Sequence, residues 1–247
     1  MRYPTGLVAA GLLCAAASAN AGDVTGTVTA VSDYDFRGVS LSAKDPALQA
    51  SIDYAHDSGF YAGAWASNID YGPDIDGDIE LDLYAGFAGE TGGGMGWDVG
   101  LVWYTYPDSS SSLTASSISD YPELYAGITF GPVEIKQWYT NDWSGSDLDA
   151  LYTELNYGFE LPADFGLNLH LGYNYGDAFK DLLTEYFDFS IGVSKTVGNF
   201  DLELKYTGTE LDEEDYGLDP GESFDDVFNP EPRVLFTVST TFPWGGE

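Results

Sequence analysis

The sequence predicts an all-β fold, an antiparallel transmembrane up-and-down β-barrel of about 12 strands. Three observations support this prediction: long segments alternate apolar and polar residues, short turns alternate with long loops, and aromatic residues gather near the segment ends. Strict alternation is typical of a strand with one apolar and one polar face. Segments of about 9–11 residues can cross a bilayer as tilted strands, whereas a soluble strand usually has about 5–6 residues.

The clearest alternation runs from Leu151 to Tyr175 and has the form of one hairpin with a turn at 162–164. Apolar residues occupy most alternate positions on both sides of this turn. The opposite face carries Glu154 and Glu160, which a dry core does not tolerate unpaired. The apolar face therefore suits lipid, and the polar face suits a watery lumen.

Twelve segments share this pattern or a variant of it. We predict strands at 23–36, 46–56, 60–68, 79–89, 96–106, 121–131, 133–143, 150–161, 166–176, 185–196, 199–208 and 232–243. Turns such as 57–59 and 131–132 are short, whereas loops such as 37–45, 107–120 and 209–231 are longer. Short turns at one end, long loops at the other and an even strand number are typical of bacterial outer-membrane barrels.

Aromatic residues form two groups along these strands, as expected at the two interfaces of a membrane. The group near the short turns contains Phe60, Phe87, Trp97, Phe130, Phe159, Phe165, Phe200 and Phe242. The group near the long loops contains Tyr34, Phe36, Trp103, Tyr106, Tyr121, Trp138, Tyr139, Tyr152, Tyr175, Tyr186 and Tyr206. Aromatic residues are common in any strand, so their clustering at the strand ends is the informative feature.

Residues 1–21 have the composition of a secretory signal peptide. Arg2 precedes a short apolar run, and Ala-Asn-Ala at 19–21 has the form of a cleavage site. Cleavage there leaves one domain, residues 22–247, which is one unit more negative than the −33 of the full chain because Arg2 is removed. The single cysteine, Cys14, leaves with the signal, so we expect neither disulfides nor thiol chemistry.

Composition narrows the classes of partner. The full chain has 8 basic and 41 acidic residues, and so acidic a protein repels nucleic acid. Aromatic residues make up 15% of the chain, which favours a folded β protein with wet acidic surfaces over an acidic disordered chain. We therefore expect a folded protein without a nucleic-acid partner.

Few residues suggest catalysis or metal binding. His170 faces the lumen by parity and His56 lies at a short turn, and neither has the partners of a catalytic triad in a recognisable motif. Asp74, Asp76 and Asp78 only faintly resemble a calcium loop, because the glycine spacing does not match an EF-hand. We expect no catalytic residue, no metal and no cofactor.

The polar faces of the strands predict which residues line the lumen. Because successive side chains of a strand point to opposite faces, the alternation places one set of residues inside the barrel. This set is Asp53, Glu80, Asp82, Asp98, Glu123, Glu134, Lys136, Glu154, His170, Asp188, Asp201, Glu203 and Lys205. Arg233 also points inward, and Arg37 lies at the outer end of the first strand. Because rings of carboxylates favour cations, this acidic lumen predicts a cation-preferring pore. The alternative is a polar plug whose charges pair or hydrate without transport, since about twelve strands enclose a narrow interior.

The segment 31–40, Val-Ser-Asp-Tyr-Asp-Phe-Arg-Gly-Val-Ser, resembles the opening motif of the TorF-type porin family, also known as the Gcw_chp domain. The motif residues are Ser32, Asp33, Tyr34, Phe36, Arg37 and Gly38. The segment 204–209 resembles the late-strand pattern of these proteins, and the likeness in size covers nearly all of 23–243. The resemblance implies an outer-membrane barrel whose pore function is itself inferred, and it transfers no catalytic or substrate-binding residues.

Together these features predict a porin-like channel in the outer membrane of a Gram-negative bacterium, which passes small solutes, prefers cations and is not an enzyme. The last strand, with alternate apolar residues from Val234 to Phe242, resembles the signal that the barrel assembly machinery reads. Expected partners are outer-membrane lipid and lipopolysaccharide, that machinery, and small solutes or cations. Two alternatives are a structural or adhesive barrel acting through acidic extracellular loops, and an outer-membrane enzyme.

Overall fold

Twelve antiparallel strands close into one barrel, which confirms the predicted all-β fold. The computed structural model describes residues 24–73, 75–107, 109, 116–117, 119–212, 214–215 and 224–244, and the predicted signal peptide lies outside them. Each strand pairs with its neighbours in chain order and the first pairs with the last, so the barrel has no open edge. Among the described residues, no helix is long and apolar enough to span a membrane.

The barrel strands agree closely with the predicted segments. They are β1 (Val24–Val31), β2 (Ala47–Ala55), β3 (Phe60–Asn68), β4 (Ile79–Glu90), β5 (Met95–Thr105), β6 (Tyr121–Phe130), β7 (Val133–Thr140), β8 (Ala150–Leu161), β9 (Phe165–Tyr175), β10 (Tyr186–Val197), β11 (Phe200–Thr209) and β12 (Arg233–Phe242). A short helix α1 (Asp177–Asp181) and a 3-10 turn (Trp143–Gly145) lie in long connections. Two further short pairs are the antiparallel inner ribbon, Asp35–Phe36 with Val39–Ser40, and a parallel pair, Ile75–Asp76 with Ser116–Ser117.

Side-chain alternation explains both surfaces of the barrel. In β9, Leu169 and Leu171 are 37% and 46% exposed on the outside, whereas Asn174 is fully buried on the inside. The same contrast recurs in the other long strands, so leucine, isoleucine, valine and phenylalanine cover the outer surface. A contiguous apolar surface of this kind is suited to lipid rather than to water.

The short turns all lie at one end of the barrel and join β2 to β3, β4 to β5, β6 to β7, β8 to β9 and β10 to β11. The β2–β3 turn requires Gly59, because its φ angle is +86° and a Cβ atom there would overlap the backbone oxygen of Ala88. The remaining connections are longer, so the predicted sorting of turns and loops is confirmed.

The first strand is shorter than predicted. The sequence placed it at 23–36, but β1 ends at Val31, and residues 32–46 turn into the lumen as an inner loop. Arg37 and Gly38 have positive φ angles of 51° and 85°, which reverse the chain within the inner ribbon. The strand does not continue because the polar residues of the inner loop find partners inside the barrel.

The aromatic residues follow the predicted belts only in part. Those near the short turns lie on the outer surface, as predicted for Phe87, Trp97, Phe130, Phe159, Phe165, Phe200 and Phe242. Near the long loops the prediction is wrong for Tyr34, Tyr106, Tyr121, Trp138, Tyr152 and Tyr186, which are buried. The reason is that adjacent residues of a strand face opposite sides of the barrel wall. Trp138 is therefore buried inside, and only its neighbour Tyr139 is exposed.

The main core of the protein is an aromatic cluster inside the barrel. It joins Tyr34 and Leu41 of the inner loop to wall residues such as Tyr61, Val102 and Tyr104. Apolar residues at inward positions look out of place in a watery lumen, but they pack against the inner loop. The lumen is therefore partly filled near its long-loop end.

Candidate functional site

The lumen brings together the predicted pore-lining residues. Those that are buried are Glu80, Asp82, Glu123, Lys136, Asp188, Glu203 and Lys205. Those that are partly buried are Asp53, Asp98, Glu134, Glu154, His170 and Asp201. The next residue on each strand generally lies on the exposed outer surface, as Leu83 does beside Asp82 and Leu204 beside Glu203.

Ion pairs fasten the start of the inner loop to β11 and β12. The Arg233 guanidinium donates through Nε to Asp33 and through Nη2 to Asp35 at 2.9 Å, and Lys205 Nζ lies 3.0 Å from the other oxygen of Asp35. The Thr207 hydroxyl also donates to Asp35 at 3.1 Å. Burial alone would raise the pKa of Asp35, but Lys205 and Arg233 hold that pKa below its usual value. This contact is therefore a buried ionic cluster rather than a surface salt bridge.

The tip of the inner loop reaches the opposite wall through Arg37. Its Nη2 atom donates to Glu123 Oε2 at 2.6 Å, and both side chains are buried. The Tyr104 hydroxyl donates to the same oxygen at 3.0 Å. The Arg37 guanidinium lies 4.3 Å from the ring centre of Tyr152 and 4.7 Å from that of Phe36. Aromatic faces stabilise this buried cation in addition to its carboxylate partner.

Most residues of the family motif take part in this arrangement. Asp33 accepts hydrogen bonds from the hydroxyls of Ser40 at 2.6 Å and Ser42 at 3.1 Å, which closes the inner loop. Ser32 continues the contact between β1 and β12, because its hydroxyl accepts a hydrogen bond from the Phe236 backbone N–H at 2.9 Å. The motif therefore encodes a loop that folds inward rather than the end of a strand.

Gly38 lies where the inner loop closely approaches the wall strands β10 and β11. A Cβ atom at this position would lie 2.6 Å from Cγ2 of Thr209 and 2.8 Å from Cβ of Asp188. The φ angle of +85° also favours glycine. A larger residue at this position would force the inner loop away from β10 and β11.

A hydrogen-bonded cluster centred on His170 joins β8, β9 and β10. Nε2 lies 2.8 Å from Asp188 Oδ1 and 2.9 Å from the Tyr152 hydroxyl, and Nδ1 lies 2.7 Å from Asn156 Oδ1. The amide of Asn156 donates to Glu154 at 3.0 Å, which fixes its oxygen toward the imidazole. Both ring nitrogens face acceptors, an arrangement that suits a protonated imidazole.

Tyrosines that the sequence interpretation left out of the site hold carboxylates nearer the short turns. The Tyr84 hydroxyl donates to Asp53, and the Tyr61 hydroxyl donates to Asp98 at 2.5 Å. The hydroxyls of Tyr61 and Tyr125 also contact each other. The sequence did carry the signal, because tyrosines at inward positions of long strands indicate hydroxyls inside the lumen.

Other lumen charges have nearby partners. Lys136 Nζ lies 3.3 Å from Glu134 and 3.8 Å from Asp98. Glu203 accepts a hydrogen bond from the Asn168 amide at 2.9 Å, and the hydroxyl of Thr196 donates to Asp201. Most of the predicted pore-lining carboxylates are thus held by a basic group or a hydrogen-bond donor.

Glu80 and Asp82 differ from these carboxylates. Both are on the inward face of β4 and are 1% and 0% exposed. In the described part of the chain, neither forms a salt bridge, and Oε2 of Glu80 and both carboxylate oxygens of Asp82 have no hydrogen-bond partner. The Tyr34 hydroxyl of the inner loop, near Glu80, also lacks a partner of hydrogen-bond geometry. Burial and these two carboxylates raise the pKa of Tyr34 well above its usual value, so its phenol keeps its proton.

The described residues contain no group of three or more histidine, cysteine, aspartate or glutamate side chains placed to hold a metal ion. Of the faint calcium-loop segment, Asp74 and the side chain of Asp76 lie outside the described residues. His56 bonds to Ser58 in the β2–β3 turn, at 2.9 Å from Nδ1 to the hydroxyl.

Comparisons with known proteins place the chain in a family. A family model described as a bacterial protein of unknown function, Gcw_chp, matches residues 15–242. Among curated proteins, none matches the chain. The fold is similar to that of a KdgM porin in complex with disordered oligogalacturonate, with a TM-score of 0.50 and 7% identity over 90% of this chain and 100% of that chain.

A second similar structure is the NanC porin, with a TM-score of 0.52 and 8% identity over 89% of this chain and 98% of that chain. At such low identity these likenesses establish the barrel fold alone. The family match is of a different kind, because it spans nearly the whole sequence and includes the opening motif. This chain is a member of the Gcw_chp family.

Proposed function

We propose that this protein is a porin-like channel of the bacterial outer membrane that passes small solutes by diffusion and prefers cations. The proposal is supported by the contrast between the two surfaces of the barrel. The outer surface is an apolar belt, and on the inner surface carboxylates outnumber basic groups. A closed barrel of this kind satisfies every strand edge and can remain in lipid. The TorF-type porin designation that the opening motif implies is part of this proposal.

The proposed cation preference follows from the residual charge of the lumen. Arg37 offsets Glu123, Lys136 offsets Glu134, and Arg233 with Lys205 offsets the acidic residues of the inner loop. Glu80 and Asp82 have no basic partner among the described residues. In a narrow lumen the effective dielectric constant is lower than that of bulk water, so such uncompensated charges act strongly on passing ions.

The proposed location requires export and assembly. Residues 1–21 would act as a cleaved signal peptide, and β12 would present its apolar outer residues to the barrel assembly machinery. The long loops would face the cell exterior, where divalent cations could connect their carboxylates to lipopolysaccharide phosphates. Nucleic acid is not a proposed partner, because the net charge is strongly negative.

A second candidate is a closed structural or adhesive barrel that acts through its acidic loops. The observation that favours it is the inner loop, whose Tyr34, Leu41 and Arg37 side chains are buried against the wall. An enzymatic role is not proposed. Ser190 lies opposite His170 in the strand register, but the His170 nitrogens bond to Asp188, Tyr152 and Asn156.

The two candidates differ in whether solutes cross the barrel. We expect the refolded protein to give discrete conductance steps in planar bilayers and to cause swelling of liposomes in a small neutral sugar. Liposomes prepared with the same detergent but without protein provide the control. Correctly folded protein that gives neither conductance nor swelling would favour the structural barrel.

A further inference from the structure

Two buried carboxylates of the lumen have no positive partner in the described part of the chain. Asp82 lies near Glu80 and Glu123, so three acidic groups share one region. The buried Arg37 guanidinium contacts Glu123 and thereby offsets one of them. The other two have no basic group beside them among the described residues.

Asp188, another buried carboxylate of the lumen, is stabilised differently from Asp82. Asp188 accepts hydrogen bonds from Tyr152 and Asn174 and contacts His170. Asp82 is equally buried, yet among the described residues neither of its oxygens accepts any hydrogen bond. A carboxylate removed from water without a partner is strongly unfavourable unless it binds a proton or a cation, so Asp82 is a candidate ligand for a cation.

The Tyr34 hydroxyl is a further buried polar group at this place. Tyr34 is 5% exposed, and its ring packs against Trp65 with 5.4 Å between ring centres. Trp65 is the register partner of Asp82 across β3 and β4. The hydroxyl adjoins Glu80, and its oxygen, like those of Asp82, has no partner of hydrogen-bond geometry in the described structure.

We propose that Glu80, Asp82 and the Tyr34 hydroxyl bind one small inorganic monovalent cation in the lumen. This inference rests on the proposed channel function, because ions must be able to enter the barrel. It deepens that function by assigning the cation preference to one place on the β4 wall. The inner loop completes the site, since Tyr34 is its only non-carboxylate ligand among these three.

The chemistry of the ligands decides the class of ion. All three groups offer oxygen, which suits hard cations and not soft transition metals. A divalent ion usually needs more carboxylate or carbonyl ligands than Glu80 and Asp82 supply. Two carboxylates with one phenol are better matched to an ion such as potassium or sodium.

The test measures the thermal unfolding midpoint of the refolded full-length barrel in potassium chloride and in N-methyl-D-glucamine chloride at equal ionic strength. An ion that binds only the folded state raises the midpoint as its concentration rises. We expect potassium to raise the midpoint of the wild type, while the bulky organic cation does not. Equal midpoints in the two salts would overturn the proposal.

Variants separate binding from general folding effects. Glu80→Gln/Asp82→Asn is expected to lose the potassium dependence and to have a higher midpoint than the wild type in N-methyl-D-glucamine chloride, because the uncompensated charges are gone. Tyr34→Phe, which removes only the hydroxyl, is expected to weaken the dependence. Potassium dependence that persists in the double variant would contradict the site, as would a lower midpoint of that variant in the absence of potassium.

A matched control removes two carboxylates elsewhere. Asp212 and Asp215 are exposed in the loop after β11, so Asp212→Asn/Asp215→Asn makes the same change of net charge outside the lumen. This variant is expected to keep the potassium dependence of the wild type. Stabilisation by calcium chloride alone, without an effect of potassium, would overturn the monovalent assignment.

The outcome is distinguishable from failure of the channel function. A barrel that conducts but shows no potassium stabilisation would refute the site and leave the channel proposal intact. A barrel that potassium stabilises but that does not conduct would support the site and refute diffusion through the lumen.

Discussion

Two walls of the lumen, one formed by β11 and β12 and the other by β4, differ in whether their buried acidic residues have basic partners. On the β11–β12 wall, Asp33 and Asp35 of the inner loop contact Arg233 and Lys205. On the β4 wall, Glu80 and Asp82 are just as deeply buried but have no basic partner among the described residues. Similar side chains at similar depth thus have basic partners on one side and none on the other.

We interpret this difference as one of role: the paired charges hold the structure together, and the unpaired carboxylates act on ions. An ion pair inside the protein contributes little net field to a passing solute, since the two charges largely cancel at a distance. A carboxylate that is buried and charged without a partner destabilises the fold. The β11–β12 wall, here called the paired wall, therefore fixes the inner loop. We assign ion selection to the β4 wall with Glu80 and Asp82, here called the unpaired wall.

The largest expected effect comes from breaking the paired wall. Arg233→Gln leaves Asp33 and Asp35 buried with Lys205 as their remaining cation. Removal of one partner of a buried ion pair costs about 3–5 kcal/mol. We expect the free energy of unfolding of this variant, measured in urea, to fall by that amount. Protease cleavage within the inner loop should also become faster.

An exposed ion pair supplies the control for this measurement. Lys44 contacts Asp226 and Glu231, and all three side chains are at least partly exposed to solvent. Surface pairs of this kind contribute about 0–1 kcal/mol, so Lys44→Gln should change the unfolding free energy little. Equal losses in the two variants would mean that burial does not distinguish the paired wall.

A smaller effect is expected from acid. The folded pKa of Asp35 is below its usual value of about 3.9, because Lys205 and Arg233 outweigh the effect of burial. Its contribution to stability is therefore fully present above the unfolded pKa and is lost as pH falls through the lower, folded value. The wild type should lose more stability than Asp35→Asn when the pH is lowered across this window. Parallel pH profiles for the two proteins would remove Asp35 from the ionic cluster.

Much of the fold could be predicted because the alternation of apolar and polar residues can be recognised within the sequence of each single strand. Alternation in the segments 150–161 and 166–176 identified β8 and β9 and assigned their faces, because each alternating residue indicates its own side of the wall. The loop lengths then gave the topology, since antiparallel neighbours joined by short turns leave few other arrangements. The closed barrel follows from these two features.

The inner loop could not be predicted in the same way, because its contacts are distant in the sequence. Asp33 and Arg233 are 200 positions apart, and nothing near either residue identifies the other as its partner. The alternation predicts a strand to residue 36 and a loop from residue 37, so residues 32–36 are the part of the motif for which the prediction is wrong. Apolar residues at inward positions, such as Tyr61 and Val102, were the available signal that something packs against them inside.

We propose that the unpaired wall sets the ionic selectivity of the lumen. The most direct measurement is the reversal potential across a potassium chloride gradient, for the wild type, Glu80→Gln/Asp82→Asn and Asp212→Asn/Asp215→Asn. We expect the wild type and the loop variant to prefer potassium, and the lumen variant to lose most of that preference. The preference should be strongest in dilute salt, because the Debye length is about 10 Å at 0.1 M and about 3 Å at 1 M. A wild-type pore that prefers chloride, or a lumen variant with unchanged selectivity, would contradict the account.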